Sequence, residues 1–201
     1  TGKLGGNAID YHATIGLTLF ALLIFRIVWG FIGSTYARFA AFFPTPSLVM
    51  AYLRGQWQGI GHNPLGALSV FGLLGLLALQ TVSGLFANDD IAFRGPLSDC
   101  IGKEMSDIFS AYHRTIIYAL IALIALHLCA ILFYTLVKKD VLIRPMITGW
   151  KNVSRGKGAS ATGGGVLAFI VAILIALAGT YAVSVSCPSP SAPPAYTAPT
   201  W

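Results

Sequence analysis

The stretch that decides the fold is "SAYHRTIIYALIALIALHLCAILFY", Ser110 to Tyr134. It is apolar almost throughout, yet it carries His113 and His127, fourteen residues apart. A run of about 20 apolar residues is long enough to cross the hydrocarbon core of a bilayer. Lipid cannot satisfy an open backbone, so such a run must be helical. The stretch therefore predicts a transmembrane helix with two ionisable groups along its length.

The composition of the whole chain indicates the same class. Of the 201 residues, 56% are hydrophobic and only 10% are charged, whereas soluble domains carry about 25% charged residues. The hydropathy pattern predicts four spans, at about 11–33, 65–87, 110–137 and 166–185. No segment shows the alternation of a membrane barrel. We therefore expect an all-α integral membrane protein, a transmembrane helical bundle with four spans in the lipid bilayer.

Basic residues are concentrated on one side of this bundle. The connections between the first and second spans and between the third and fourth carry eight: Arg38, Arg54, Lys138, Lys139, Arg144, Lys151, Arg155 and Lys157. The opposite side carries three: Lys3, Arg94 and Lys103. By the positive-inside rule those two connections are predicted to be cytoplasmic, and the second-to-third connection and the C-terminal tail periplasmic. The net charge of +6 thus reflects topology, and no basic, aromatic-interleaved domain predicts a nucleic-acid partner.

The cysteines exclude one kind of cofactor attachment. The chain has three, and none lies in a C-x-x-C-H motif, which excludes covalent c-type haem. Cys129 lies within the third span, where packing is the expected role. Cys100 and Cys187 both fall on the predicted outer side, where a disulfide is chemically permitted. Their distance along the chain gives no geometric indication for or against one.

The two histidines of the third span predict two separate sites. Fourteen residues on an α-helix rise about 21 Å and stop about 40° short of four turns, so His113 and His127 share a face at two depths. His12 lies at the outer end of the first span, at the depth predicted for His113. Imidazoles from two facing helices can ligate a haem iron from both sides. We therefore predict that His12 and His113 form an outer haem site.

Neighbouring residues fit this site, each with a second interpretation. Gly16, one turn beyond His12, would let a porphyrin approach the backbone, although small residues also serve helix packing in membranes. Arg114 could pair with a haem propionate or extend to the lipid headgroups, and Arg26 admits the same two interpretations.

His127 lacks an obvious partner. His62 lies at the cytoplasmic surface, about 15 Å along the membrane normal from His127, and more naturally orients the start of the second span. There Asn63 is a predicted N-cap and Pro64 suits the first turn. A proton relay or transporter is the rival chemistry. No acidic residue falls within a predicted span, and no broken helix or inverted repeat is visible.

Beyond these patterns, the chain resembles a known family. The segments "YHATIGLTLFALLIFRIVWGFIGSTYARFAAF", "GHNPLGALSVFGLLGLLALQTVSGLFA" and "RPMITGWK", with the two-histidine helix, resemble the bacterial cytochrome b561 family over about residues 8 to 152. That family is related to the b-type subunits of nickel–iron hydrogenases and formate dehydrogenases. The resemblance implies a core of four helices with haem b, in which His113, His127 and His12 match ligand positions. Residues 1–152 would form this haem-binding bundle, 153–186 an additional helix, and 187–201 a Pro-rich extended tail.

The resemblance also implies a function in the bacterial inner membrane. The chain would transfer electrons between the quinone pool and an outer-side partner, a c-type cytochrome or hydrogenase-like subunit, as a subunit rather than a stand-alone enzyme. The alternative is a haem-poor structural or anchoring subunit of a larger membrane redox complex. The family's first core helix, which carries the remaining ligand, has no match here. Either it lies upstream of Thr1, or another chain supplies it, or only the outer haem is kept.

Overall fold

The fold was analysed in a computed structural model, which describes residues 7–59, 61–91, 93–139, 143–150 and 160–187. Six α-helices lie within these ranges: α1 (Asn7–Ile32), α2 (Pro46–Leu53), α3 (Pro64–Leu85), α4 (Ser98–Leu136), α5 (Ile143–Thr148) and α6 (Val166–Val185). Two short 3-10 turns, Thr35–Ala37 and Phe39–Ala41, follow α1. Four of the helices, α1, α3, α4 and α6, are long and apolar enough to span a membrane. The predicted helical membrane bundle is confirmed.

The spanning helices pack in the order α6–α1–α3–α4. Helix α1 lies against both α6 and α3, and α4 lies against α3. Large apolar side chains remain exposed along all four helices, and none of those described is fully buried. In water such a surface would be unfavourable by about 25 cal/mol per Å². It suits a bundle whose outer faces contact lipid.

Helix α3 begins as its sequence predicts. Asn63 is the N-cap, and its Oδ1 accepts a hydrogen bond from the Gly66 amide at 2.7 Å. Pro64 occupies the first turn, where its missing N–H costs nothing. The cap fixes where the helix starts and leaves His62 just outside it.

Helix α4 differs from its predicted span. It begins at Ser98 rather than near residue 110, because the added segment is polar and hydropathy does not register it. Gly102 interrupts this outer segment with a φ of +74°, a conformation that favours glycine. The connection from α3 is fastened to α4 by Asn88, whose Nδ2 donates to Ser106 Oγ at 2.7 Å, and by Ser110 Oγ, which donates to the Asn88 carbonyl at 2.9 Å.

Two links tie distant parts of the chain together at opposite ends of the bundle. A disulfide joins Cys100, in the first turn of α4, to Cys187, just after α6, with 5.8 Å between their Cα atoms. At the other end, the Thr35 amide donates to the Thr162 carbonyl at 2.9 Å. The connections after α1 and before α6 therefore lie on one side of the bundle, and the disulfide lies on the other.

Some expectations fall on residues outside the described ranges. They concern the tail from 188 to 201 and four of the basic residues used for orientation: Lys3, Lys151, Arg155 and Lys157. Cys129 is a free cysteine on the exposed surface of α4 rather than a packing residue. The third span is apolar on nearly all sides, so its sequence did not indicate which side faces outward.

Candidate haem site

His12 and His113 come together between α1 and α4. Their ring centroids are 5.8 Å apart and their planes are nearly perpendicular, at 88°. Two imidazoles that bind one metal ion from opposite sides, each with a bond of about 2 Å, place their centroids about 6 Å apart. Among the described residues no group of three or more His, Cys, Asp or Glu could hold a metal. The separation of the two rings is compatible with ligation of one metal ion, and these are the two histidines that were predicted to pair.

Helix α3 holds the ring of His113. Nδ1 of His113 donates to the backbone carbonyl of Gln80 at 2.9 Å. The Gln80 side-chain amide donates to the backbone carbonyl of His113 at 3.1 Å and also lies 3.2 Å from its Nε2. Ser83 Oγ lies 3.4 Å from Nδ1. With Nδ1 protonated, Nε2 carries the lone pair that a metal needs.

A glycine makes this contact possible. A Cβ at Gly84 would lie 2.9 Å from Cε1 of His113 and 3.1 Å from its Nδ1. Any larger residue would push the ring away from α3. Sequence reasoning missed Gln80, Ser83 and Gly84, although the segment "LQTVSG" is unusually polar for a span. Polar side chains within a span are a signal of a functional site.

Gly16 faces open space. A Cβ added there would meet no atom of the described residues within 4 Å, so none of these residues packs closely against Gly16. The backbone one turn beyond His12 is therefore open on this side. Arg114 follows His113 on α4 and is exposed, which leaves both of its predicted interpretations open.

His127 lies apart from this pair, farther along α4. Its Nδ1 is 2.8 Å from Ser69 Oγ, on α3. A hydroxyl can donate or accept, so this bond does not fix the tautomer of His127 as the Gln80 carbonyl fixes that of His113.

The inner end of the bundle is aromatic and basic. The guanidinium of Arg26 lies over the Phe39 ring, 4.9 Å from its centroid, and its Nη1 is buried with no hydrogen-bond partner among the described residues. The His62 ring packs 4.7 Å from that of Phe42. Burial lowers the pKa of His62, and the positive charge of Arg26 lowers it further.

Four spanning helices with an imidazole pair held between two of them define a multi-pass membrane protein suited to a planar metal cofactor. The comparison with known families agrees: residues 1–149 match the prokaryotic cytochrome b561 family, and the chain belongs to it. It is a membrane b-type cytochrome that functions in electron transfer, and its cofactor is haem b with iron. The resemblance predicted from the sequence is confirmed.

Two curated relatives resemble the chain. One is the probable Ni/Fe-hydrogenase 1 B-type cytochrome subunit of Escherichia coli K12, 24% identical over 169 residues, which cover 73% of this chain and 71% of the relative. The protein of the same name from Escherichia coli O157:H7 matches to the same extent. No solved structure matches the chain.

The residues present fit haem b. The imidazole separation suits an iron between the rings, and open space beside Gly16 leaves room for the macrocycle. When bound, haem b supplies a one-electron iron couple whose potential depends on its ligands and their hydrogen bonds. The chain's own task is to hold the ligands, orient them and exclude water.

Proposed function

We propose that this cytochrome carries electrons across the membrane through b haems ligated by two histidines each. The observation that carries the proposal is the meeting of His12 and His113 from α1 and α4. A six-coordinate iron has no open position, which suits electron transfer rather than oxygen chemistry. On this proposal Gly16 lies under the macrocycle, and Arg114 pairs with a propionate at the outer surface.

His127 would ligate a second haem in the inner half. Its separation from His113 corresponds to about 21 Å along the helix, roughly the spacing of two stacked haems. Nη1 of Arg26 is a buried donor without a partner among the described residues, and a haem carboxylate would satisfy it. The second ligand to this haem would come from a further helix, either upstream of Thr1 or on another subunit.

The direction of the bundle in the membrane supports a bacterial inner-membrane location. The connections rich in Lys and Arg would be cytoplasmic by the positive-inside rule. The disulfide between Cys100 and Cys187 lies on the opposite side, as expected if that side faces the oxidising periplasm. Both arguments support an outer haem in the periplasmic half.

Quinone and an outer-side redox subunit are the partners that this function needs. The relative in Escherichia coli is described as a hydrogenase cytochrome subunit, so the class of partner we propose is a hydrogenase-like subunit or a c-type cytochrome. The division into residues 1–152, 153–186 and 187–201 stays a prediction. On it, α6 and the tail are additions that would contact a larger complex.

Haem stoichiometry in single-histidine variants tests the proposal. We expect His113→Ala to lose the outer haem and His127→Ala to keep it, because each removes a ligand from one site only. The measurement is haem per polypeptide by pyridine haemochrome assay, together with intact mass and reduced-minus-oxidised spectra. An outer haem that survives in His113→Ala, or disappears in His127→Ala, would contradict the pairing. A protein without haem would instead favour the anchoring-subunit alternative.

A further inference from the structure

Helices α3 and α4 exchange two hydrogen bonds at the outer histidine. The Gln80 backbone carbonyl accepts from His113 Nδ1 at 2.9 Å, and the Gln80 side-chain amide donates to the His113 backbone carbonyl at 3.1 Å. Gln80 and Ser83 are among the few buried polar residues of the chain, with 9% and 4% of their surfaces exposed. A buried amide in a span is costly unless it is bonded. The exchange therefore fixes both the ring and the backbone of the ligand.

Gln80 also controls the coordinating nitrogen. Its side-chain Nε2 lies 3.2 Å from both ring nitrogens of His113, and with Nδ1 protonated only Nε2 can accept a hydrogen bond from it. Iron would need the same lone pair, so this contact must lengthen when iron binds, while the amide keeps a second acceptor in the His113 carbonyl. Its Oε1 is buried and has no partner in the described part of the chain.

The close approach of Gly84 completes the arrangement. The Cβ of an alanine there would lie 2.9 Å from a ring carbon of His113, tighter than packed atoms tolerate. The position of the His113 ring against α3 is therefore set by two features: the hydrogen bond to the Gln80 carbonyl and the absence of a side chain at Gly84.

We propose that Gln80, Ser83 and Gly84 form a positioning site that fixes the tautomer and direction of the His113 ring and thereby sets the potential of the outer haem. This inference rests on the proposed ligation by His113. A histidine whose Nδ1–H donates to a carbonyl is a more basic metal ligand, and loss of such a partner commonly weakens metal binding by about 10- to 100-fold. More basic ligands favour ferric iron, so this arrangement lowers the potential.

The first test compares two glycines of the same helix. Gly84→Ala places a methyl group against His113, whereas a Cβ at Gly75 meets nothing within 4 Å. Both variants replace a glycine of α3 with alanine, so Gly75→Ala is the control for the effect of that change on the helix. We expect Gly84→Ala to shift the midpoint potential of the outer haem and weaken haem retention by about 10-fold or more. The control should match the unmodified protein in both.

The second test keeps the backbone and changes only side chains. Gln80→Leu removes the amide, Gln80→Glu retains an oxygen at nearly the same position, and Ser83→Ala removes the hydroxyl. The readouts are redox titration and the EPR signal of the ferric protein, which reports the angle between the imidazole planes. We expect Gln80→Leu and Gln80→Glu both to change the EPR signal of the outer haem, because neither side chain can donate to the His113 carbonyl as the amide does. The inner haem should not change.

The outcomes separate this inference from the one it rests on. If His113→Ala removes the outer haem while Gly84→Ala and Gln80→Leu leave its potential and EPR signal unchanged, the positioning site is refuted and the ligation stands. If the outer haem survives in His113→Ala, both the ligation by His113 and the positioning site are refuted. If Gly84→Ala does not fold, the Gln80 and Ser83 variants decide the question alone.

Discussion

The two histidines of α4 are held by different chemical groups. His113 donates to a carbonyl, which only accepts, and His127 lies 2.8 Å from the Ser69 hydroxyl, which does either. The sequence predicted the depth match of His12 and His113, because depth follows from counting residues along a helix. It did not predict Gln80, Gly84 or Ser69. Which residues of α3 face α4 depends on the rotation of two packed helices, and an apolar span carries little information about it.

Ser69 offers a test of the inner site alone. We expect Ser69→Ala to shift the potential of the haem at His127, because it removes the described hydrogen-bond partner of Nδ1. The outer haem should keep its potential, since its ligand bonds to Gln80. Redox titration with both haems resolved spectrally is the measurement. Ser83→Ala, near the other histidine, is the reciprocal control, and equal effects of both serines on both haems would contradict the separation of the sites.

The lowered pKa of His62 should make the stability of the protein depend on pH. Its pKa lies below the ordinary value of 6.5, so the unfolded chain takes up its proton first as the pH falls. Stability from this residue is therefore complete above about pH 6.5 and declines below it. We expect His62→Gln to reduce the fall in Tm between about pH 8 and about pH 5. Arg26, whose charge acts on His62, is unchanged in the variant, and parallel curves for the two proteins would refute the prediction.

At the scale of helices, capping residues predict where a helix begins, whereas hydropathy predicts only which part of it crosses the membrane. The start of α3 follows from Asn63 and Pro64, which were predicted as its cap and first turn and are observed there. The start of α4 does not, because its outer residues, from Ser98, form a polar helical segment that is kinked at Gly102 before the span. A hydropathy scan locates the lipid-crossing part of a helix and cannot locate ends that lie in water.

Helix α3 carries the groups that contact both histidines, so its N-cap can be tested directly. Asn63→Ala removes the acceptor for the Gly66 amide, a loss of about 1 kcal/mol in the free energy of unfolding. We expect a lower Tm in detergent by differential scanning calorimetry. Asn63→Asp keeps an oxygen in place and should retain most of the stability. If Asn63→Ala has the same Tm as Asn63→Asp and the unmodified protein, the N-cap does not contribute to stability.

At the scale of the whole molecule, the disulfide and the distribution of basic residues together predict that Cys100 and Cys187 lie on the periplasmic side. In a Cys129→Ser background, Cys100 and Cys187 are the remaining cysteines of the sequence. We expect a membrane-impermeant maleimide added to spheroplasts to label them only after reduction, because they are paired and face outward. Labelling only after the membrane is opened would reverse the proposed orientation, and labelling without reductant would mean that the bond does not form in the cell.

The same bond imposes an order on biogenesis. Cys187 follows α6, so translation must deliver the four described spans before its thiol can meet Cys100. During synthesis α4 and α6 are thus joined only through the polypeptide between them, and the side of the bundle where His12 and His113 meet stays without its covalent tie. Maturation of this cytochrome consequently includes a covalent step that needs an oxidant and that follows synthesis of α6.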